Sequence, residues 1–180
     1  MHLERHPAGP ACPITEITAE LRCGRKGLAI ADFAAIGDMS RIAIPTKTAP
    51  TRRDELWKAT CFEVFVETVA GAYHEYNFSP SGAWAAYYFA SYRHARANLE
   101  IAPPEMIWEA SDKRLGLTAQ FDLALHEAMP PQSIRRVGMT AVIEDVEGAI
   151  SYWALAHPFD KPDFHHSDGF IYDFQDSLGS

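Results

Sequence analysis

The segment CFEVFVETVAGAYHEYNF, residues 61–78, carries the strongest fold signal in the chain. Two runs of alternating residues, 61–68 and 73–78, flank a short turn at Val69-Ala70-Gly71. Alternation in runs rich in β-branched and aromatic residues is typical of strands, and a short connection containing glycine is typical of a hairpin. We therefore predict two paired antiparallel strands, each with one apolar face.

Similar runs, bounded by Gly, Pro and Asp, recur along most of the 180 residues, and no internal repeat or linker divides them. Many short strands with regular turn signals predict an all-β chain, specifically an antiparallel β-sandwich of roughly ten or eleven strands, immunoglobulin-like or jelly-roll in type. We expect one domain over residues 1–180. The other predicted strands are ITEITAELRC (14–23), GLAIADFAAIG (27–37), RIAIP (41–45), WAAYYFASY (84–92), EMIWEAS (105–111), LGLTAQFDLAL (115–125), RRVGMTAVIED (135–145), ISYWALAH (150–157) and DGFIYDF (168–174).

Composition excludes several classes of partner. The formal net charge is −8 and no stripe of Lys and Arg is visible, so we expect no nucleic acid as partner. No apolar run approaches the roughly 20 residues that span a bilayer, and the first residues lack the apolar segment of a secretory signal. Three cysteines without CxxC spacing are typical of free thiols. We expect a cytoplasmic protein with no membrane partner.

Two polar residues lie within the predicted hairpin. Alternation places Glu63 on a face of its strand that it shares with the apolar residues Cys61 and Phe65, and pairing of the strands would bring Asn77 beside it on the same face. Carboxylate acceptors and amide donors are the groups that bind sugar hydroxyls. A buried carboxylate needs a partner, so the alternative is an internal pair of Glu63 with Arg52, Arg53 or a backbone amide.

Aromatic side chains next to these residues could form the walls of a cleft. Trp57 follows a polar loop and Trp84 follows the Ser81-Gly82 bend, so we expect both to be exposed. Sugar rings present C–H groups that lie well on flat aromatic faces, although core packing is the alternative for any tryptophan. Arg53 could direct its fork of donors to two acceptors at once.

The segment HPFDKPDFHH, residues 157–166, is the third candidate element. We expect His157 and His165 to close the rim of the cleft. The spacing of the histidines matches no established metal motif, so we expect neither a metal nor another cofactor. A haem- or metal-binding module with a redox or sensor role stays open as an alternative.

Catalysis has weaker support than binding. The sequence lacks GxSxG and any motif that sets Ser or Cys beside His and Asp. Glu63 and Glu75 could form the carboxyl pair of a glycoside-acting enzyme, which is the less favoured alternative.

Three segments, RRDELWKATCFEVFVE (52–67), YHEYNFSPSGAWAAYYFASYR (73–93) and GAISYWALAHPFDKPDFHHSDGF (148–170), together resemble bacterial DOMON-like proteins related to type 9 carbohydrate-binding modules. The resemblance covers nearly the whole chain and implies a β-sandwich that binds sugars or haem without catalysis. In sugar-binding members a strand motif follows a Trp, and here Trp57 and residues 61–65 occupy that place. Thr60-Cys61 stands where an acidic pair is common, so the structural calcium of those modules is not implied.

These observations predict a non-catalytic module that binds a carbohydrate, or a similar small polar metabolite, in an aromatic-walled cleft. A homodimer that buries Trp84 is a further alternative. The predicted ligand-binding residues are Arg53, Trp57, Glu63, Asn77, Trp84, His157 and His165.

Overall fold

A computed structural model describes residues 1–24, 27–124 and 133–173. Short 3-10 helices within these ranges cover Met39–Arg41, Leu56–Lys58 and Ser167–Gly169. None of the helices in the described ranges is long and apolar enough to cross a membrane. The strands are β1 His2–Arg5, β2 Ile14–Cys23, β3 Leu28–Gly37, β4 Thr51–Arg52, β5 Cys61–Thr68, β6 Tyr73–Phe78, β7 Ala83–Phe89, β8 Ala97–Asn98, β9 Glu105–Ala110, β10 Arg114–Asp122, β11 Ile134–Glu144, β12 Ile150–Ala154 and β13 Tyr172–Asp173.

The strands form one continuous, curled sheet in the order β4-β7-β6-β5-β11-β12-β1-β2-β3-β10-β9, with β8 beside β7 and β13 beside β11. Strand β1 makes the sheet continuous, because it pairs with β12 on one side and with β2 on the other. We call the strands from β4 to β12 in this order the front half and those from β2 to β9 the back half.

The main core lies between the two halves. The ring of Phe33 in β3 is 5.0 Å from the ring of Phe62 in β5, centre to centre. Phe121 in β10 contacts both Tyr76 and Phe78 of β6 at 4.7 and 4.9 Å. Large apolar side chains from opposite halves therefore exclude water along the length of the front hairpin.

The all-β prediction is confirmed, and so is the hairpin, in which Glu63 of β5 lies directly opposite Asn77 of β6. The division into separate antiparallel sheets that a sandwich requires is not confirmed. The hydrogen bonding runs through β1 without a break, and β4 pairs with β7 in parallel.

Several strand predictions were wrong in detail. RIAIP is not a strand: a 3-10 turn ends at Arg41, and Ile42 makes only an isolated bridge to Asp145. The last predicted strand is reduced to Tyr172–Asp173. β1 was missed because HLER has a single apolar residue and shows no alternation. Positions 125 and 174, at the ends of two predicted strands, lie outside the described residues.

Replacing Phe62 by Ala should lower the free energy of unfolding by about 3–5 kcal/mol, because the fully buried ring would leave a cavity between the two halves. Urea denaturation measures the change. Ile107→Ala is the control, since Ile107 is 75% exposed and its substitution should change the free energy of unfolding by no more than about 0.5 kcal/mol. Equal effects of the two substitutions would show that the core is not where we place it.

Candidate functional site

The outer face of the front half, which points away from the main core, is itself largely buried. On β5, β6 and β7 the residues between those of the main core face outward, because successive side chains of a strand point to opposite faces. Apolar members of this outward set form a second, smaller cluster together with Phe170, and Phe164 and Leu56 pack against it: Phe65, Tyr73, Ala85, Tyr87 and Phe89.

Residues 157–170, here called the covering loop, lie over this face. The Phe170 ring stacks on the Phe65 ring at 5.4 Å. It occupies the space above Gly138 of β11, where an added Cβ atom would overlap the Phe170 ring. Glycine at this position therefore lets the loop approach the sheet closely.

Polar contacts also hold the covering loop. Asp163 accepts hydrogen bonds from the Tyr92 hydroxyl at 2.6 Å and from the Arg93 guanidinium at 2.9 Å. The Tyr73 hydroxyl lies 2.8 Å from Nδ1 of His165. Tyr92 and Arg93 follow β7, so the loop is tied to the same strands that form the floor beneath it.

A cleft of about 560 Å³ remains between the covering loop and the sheet. This volume is within the usual range of small-molecule sites. Glu63 and Glu75 supply carboxyl groups to its lining, and Arg93, Arg96 and His165 supply basic side chains. The aromatic part of the lining consists of Trp57, Tyr87, Phe89, Tyr152 and Phe164.

Glu63 is buried at the floor of the cleft. The Thr140 hydroxyl of β11 donates a hydrogen bond of 3.0 Å to Glu63 Oε2. Oε1 is also buried and has no hydrogen-bond partner among the described residues. Burial, followed by the negative charge of Glu75, raises the pKa of Glu63 to about 8. This carboxyl group therefore holds its proton at neutral pH while the cleft is empty.

Glu75 lies on the neighbouring strand. Asn77 Nδ2 donates a 2.6 Å hydrogen bond to Glu75 Oε1. Burial raises the pKa of Glu75 to about 7, against the opposing effects of Asn77, Arg96 and Arg93. Its Oε2 lies 3.9 Å from Nε2 of His165. Burial and the positive charge of Arg93 lower the pKa of His165 to about 4, so the imidazole is neutral at pH 7 and this contact is not an ion pair.

Two arginines lie against the ring of Tyr87, which forms one wall of the cleft. The Arg96 guanidinium lies 5.0 Å and that of Arg52 5.4 Å from the centre of the Tyr87 ring, both within the range of cation–π attraction. The Tyr87 hydroxyl donates a 2.7 Å hydrogen bond to Asp54. These contacts hold the Tyr87 ring as a fixed wall of the cleft.

The structure brings together four of the seven predicted site residues. Trp57, Glu63 and His165 line the cleft, and Trp57 is 47% exposed, as expected. Asn77 is buried on the same face and reaches the cleft through its bond to Glu75. Glu63 is bonded to Thr140 rather than paired with an arginine, contrary to the alternative considered above.

The expectation that Trp84 is exposed was wrong. It lies opposite Phe78 in the β6–β7 pair, on the face of the main core, and is only 5% exposed. A Trp84 packed in the core cannot be buried by a homodimer. Chain position beside a bend misled the prediction, whereas alternation with Phe78 would have placed the ring correctly.

Two further residues lie away from the cleft. Arg53 is exposed and contributes only its backbone N–H, bonded to Trp84 O at 2.9 Å. His157 donates through Nε2 to the carbonyl of Glu4 at 2.8 Å, and its ring lies 4.8 Å from that of His6. It therefore anchors the covering loop to β1 instead of closing the rim.

Several cleft residues were missed by sequence reasoning. Tyr87 and Phe89 point to one face of β7 and Trp84 points to the other. Because Tyr87 pairs with Glu75 and Phe89 with Tyr73, the strand pairing could have placed both rings beside Glu75. Arg96 and Phe164 lie in connections without periodicity, and no sequence pattern marks them. Within the described ranges, no group of three His, Cys, Asp or Glu side chains is arranged to hold a metal ion.

No family model and no characterised protein sequence matches the chain. The fold is similar to the crystal structure of a proposed carbohydrate-binding protein from Bacteroides uniformis. The similarity covers 86% of this chain and 76% of that one, with a TM-score of 0.54 and 10% sequence identity. At this identity the similarity shows the fold alone, and it leaves membership of the DOMON-like or type 9 families unconfirmed.

Glu63→Gln should change how stability depends on pH. The pKa of Glu63 is raised from 4.5 to about 8, so its contribution to stability is present below pH 4.5 and is lost as pH rises through 8. The substituted amide carries no charge and keeps an acceptor for Thr140. From pH 5 to pH 9, the free energy of unfolding of the variant should rise by roughly 2–4 kcal/mol relative to that of the unsubstituted protein.

Urea denaturation at both pH values measures this difference. Glu109→Gln is the control, because the Glu109 side chain is 77% exposed and pairs with Arg114 on the back half. Identical pH profiles for Glu63→Gln and the unsubstituted protein would contradict the raised pKa.

Proposed function

We propose that the chain is a non-catalytic module that binds a carbohydrate, or a similar small polar metabolite, in the cleft between the front half and the covering loop. The observation that carries this proposal is the buried, unpartnered Oε1 of Glu63 at the floor of a cleft of about 560 Å³. A buried polar atom without a partner is costly, and a ligand hydroxyl would remove that cost.

The other groups in the lining suit the same ligand. Glu75 and His165 add polar atoms near Glu63, and Arg96 adds donors at the rim. Tyr87 and Trp57 add aromatic surface, which favours the C–H faces of a sugar ring. A few fixed polar groups among aromatic walls would orient a small polyol without covalent chemistry.

Two similarities support the proposal from outside the site. The sequence resembles DOMON-like proteins, a group that includes sugar-binding sandwiches, and the Bacteroides uniformis structure is that of a proposed carbohydrate-binding protein. In this reading the curled sheet is a variant of the sandwich, and the module acts in the cytoplasm on a soluble sugar.

An enzyme acting on glycosides is a second candidate, favoured by one observation. Glu63 and Glu75 lie on adjacent strands of the same cleft, and their pKa values are raised to about 8 and about 7. Such pairs can share the roles of acid and base in glycoside cleavage. Turnover of aryl glycosides that is lost in Glu63→Gln would favour this candidate over pure binding.

Trp57→Ala should weaken saccharide binding about tenfold, because its exposed ring is one wall of the cleft and its removal costs the fold little. Trp57→Phe keeps an aromatic face and should retain most of the affinity. Calorimetric titration with mono- and disaccharides, after a thermal-shift screen, measures the effect. A ligand at 100 times its Kd should stabilise the protein by about 2.7 kcal/mol.

Ile107→Ala, on the back half, is the matched control and should bind like the unsubstituted protein. A flat thermal response to all saccharides at millimolar concentration would overturn the proposed function. Equal affinity of Trp57→Ala and Ile107→Ala would move the site away from this cleft.

A further inference from the structure

The carboxyl groups at the floor of the cleft, those of Glu63 and Glu75, form no ion pair with a lysine or arginine among the described residues. Glu67, on the same face of β5, pairs with Arg136 of β11 at 3.1 Å. Glu63 has no such partner within 4.0 Å among the described residues, and its single side-chain hydrogen bond comes from Thr140. Arg136 therefore neutralises Glu67, whereas no arginine or lysine pairs with Glu63 or Glu75 among the described residues.

The basic groups near the pair do not supply the missing charge. His165 is 3.9 Å from Glu75 and neutral at pH 7, because burial and Arg93 lower its pKa. Arg93 is engaged by Asp163 at 2.9 Å, and Arg96 lies exposed over the Tyr87 ring. Both arginines are at the rim, from which their charges only partly offset the burial that raises the pKa of Glu75.

The remaining titratable groups beside the pair are neutral as well. Burial raises the pKa of the Cys61 thiol, which shares the outward face of β5 with Glu63. Burial also raises the pKa of the Tyr73 hydroxyl to about 12. Burial and the bond to Asp54 raise the pKa of the Tyr87 hydroxyl. None of these groups carries a positive charge that could balance Glu63 and Glu75.

Two independent features of the cleft favour a cationic ligand. Once Glu63 is ionised, its unpartnered Oε1 is a buried acceptor, and a charged donor forms a stronger hydrogen bond with it than a hydroxyl does. The walls carry Tyr87, Phe89 and Phe164, and aromatic rings attract ammonium groups, most strongly where water is excluded.

We propose that the cleft selects a ligand that carries a protonated primary amine, with amino sugars as the ligand class, and that the ammonium group binds against Glu63 and Glu75. This inference rests on the proposed function and narrows it. The hydroxyls of the sugar point toward the rim, where Arg96 can donate to them. N-acetylation removes the charge and so removes the preference.

Binding of an amine at this site should release a proton, whereas binding of a neutral sugar should not. The empty floor holds protons at neutral pH, because the pKa values of Glu63 and Glu75 are about 8 and about 7. An ammonium group favours the carboxylate form, so a carboxyl proton leaves to the buffer as the amine binds, while the amine keeps its own proton. Net proton release is therefore the signature of this site.

The experiment is calorimetric titration of the full chain at pH 7 with glucosamine, N-acetylglucosamine and glucose, each in two buffers of different ionisation enthalpy. We expect glucosamine to bind at least about tenfold more tightly than the other two sugars and to release a proton. Glu63→Gln and Glu75→Gln should each abolish most of this advantage, and Glu109→Gln should keep it. Two separate floor variants keep the test decisive if one of them fails to fold.

The outcomes separate the two proposals. Equal binding of the three sugars without proton release would overturn the amine preference and leave the carbohydrate function standing. Cyclohexylamine serves as an amine without hydroxyls. If it binds with proton release and none of the sugars binds, the result would support the amine site and overturn the carbohydrate function. Binding of none of the four compounds would overturn both.

Discussion

The burial of Glu63 and Glu75 on a face that points away from the main core is the constraint on which the rest of the front half depends. Desolvation of a carboxylate costs several kcal/mol, so both groups keep protons at a pH where surface carboxyls have lost them. A fold optimised only for stability would place apolar side chains here. The retention of acids in a water-poor cleft is therefore the strongest functional signal in the molecule.

The covering loop creates this environment and is itself held by polar anchors. Asp163 is bonded to Tyr92 and Arg93, and Phe170 packs into the space left by Gly138. Without the loop, the outer face would be an ordinary solvated sheet surface and the pKa values of both acids would fall toward normal. The acidic floor and the covering loop therefore form one unit, although they lie about 100 positions apart in the chain.

Alternation made the hairpin and its polar face predictable from sequence. Once the turn fixes the pairing of β5 with β6, Glu63 must lie beside Asn77 and opposite the core residues, and the structure agrees. The same rule, applied to β7, would have placed Trp84 in the core and Tyr87 in the cleft. Local sequence could not reveal the closure through β1, or the contributions of Arg96 and Phe164, because these depend on long-range packing of segments without periodicity.

The central claim is that the carboxyl-floored cleft is the ligand-binding site of the chain. Mapping of amide chemical shifts by NMR during titration with glucosamine tests it most directly, because the back half serves as an internal reference. We expect shifts concentrated at Glu63, Glu75, Tyr87 and residues 163–165, with residues 105–120 unchanged. Shifts centred on the back half, or spread evenly over the surface, would contradict it.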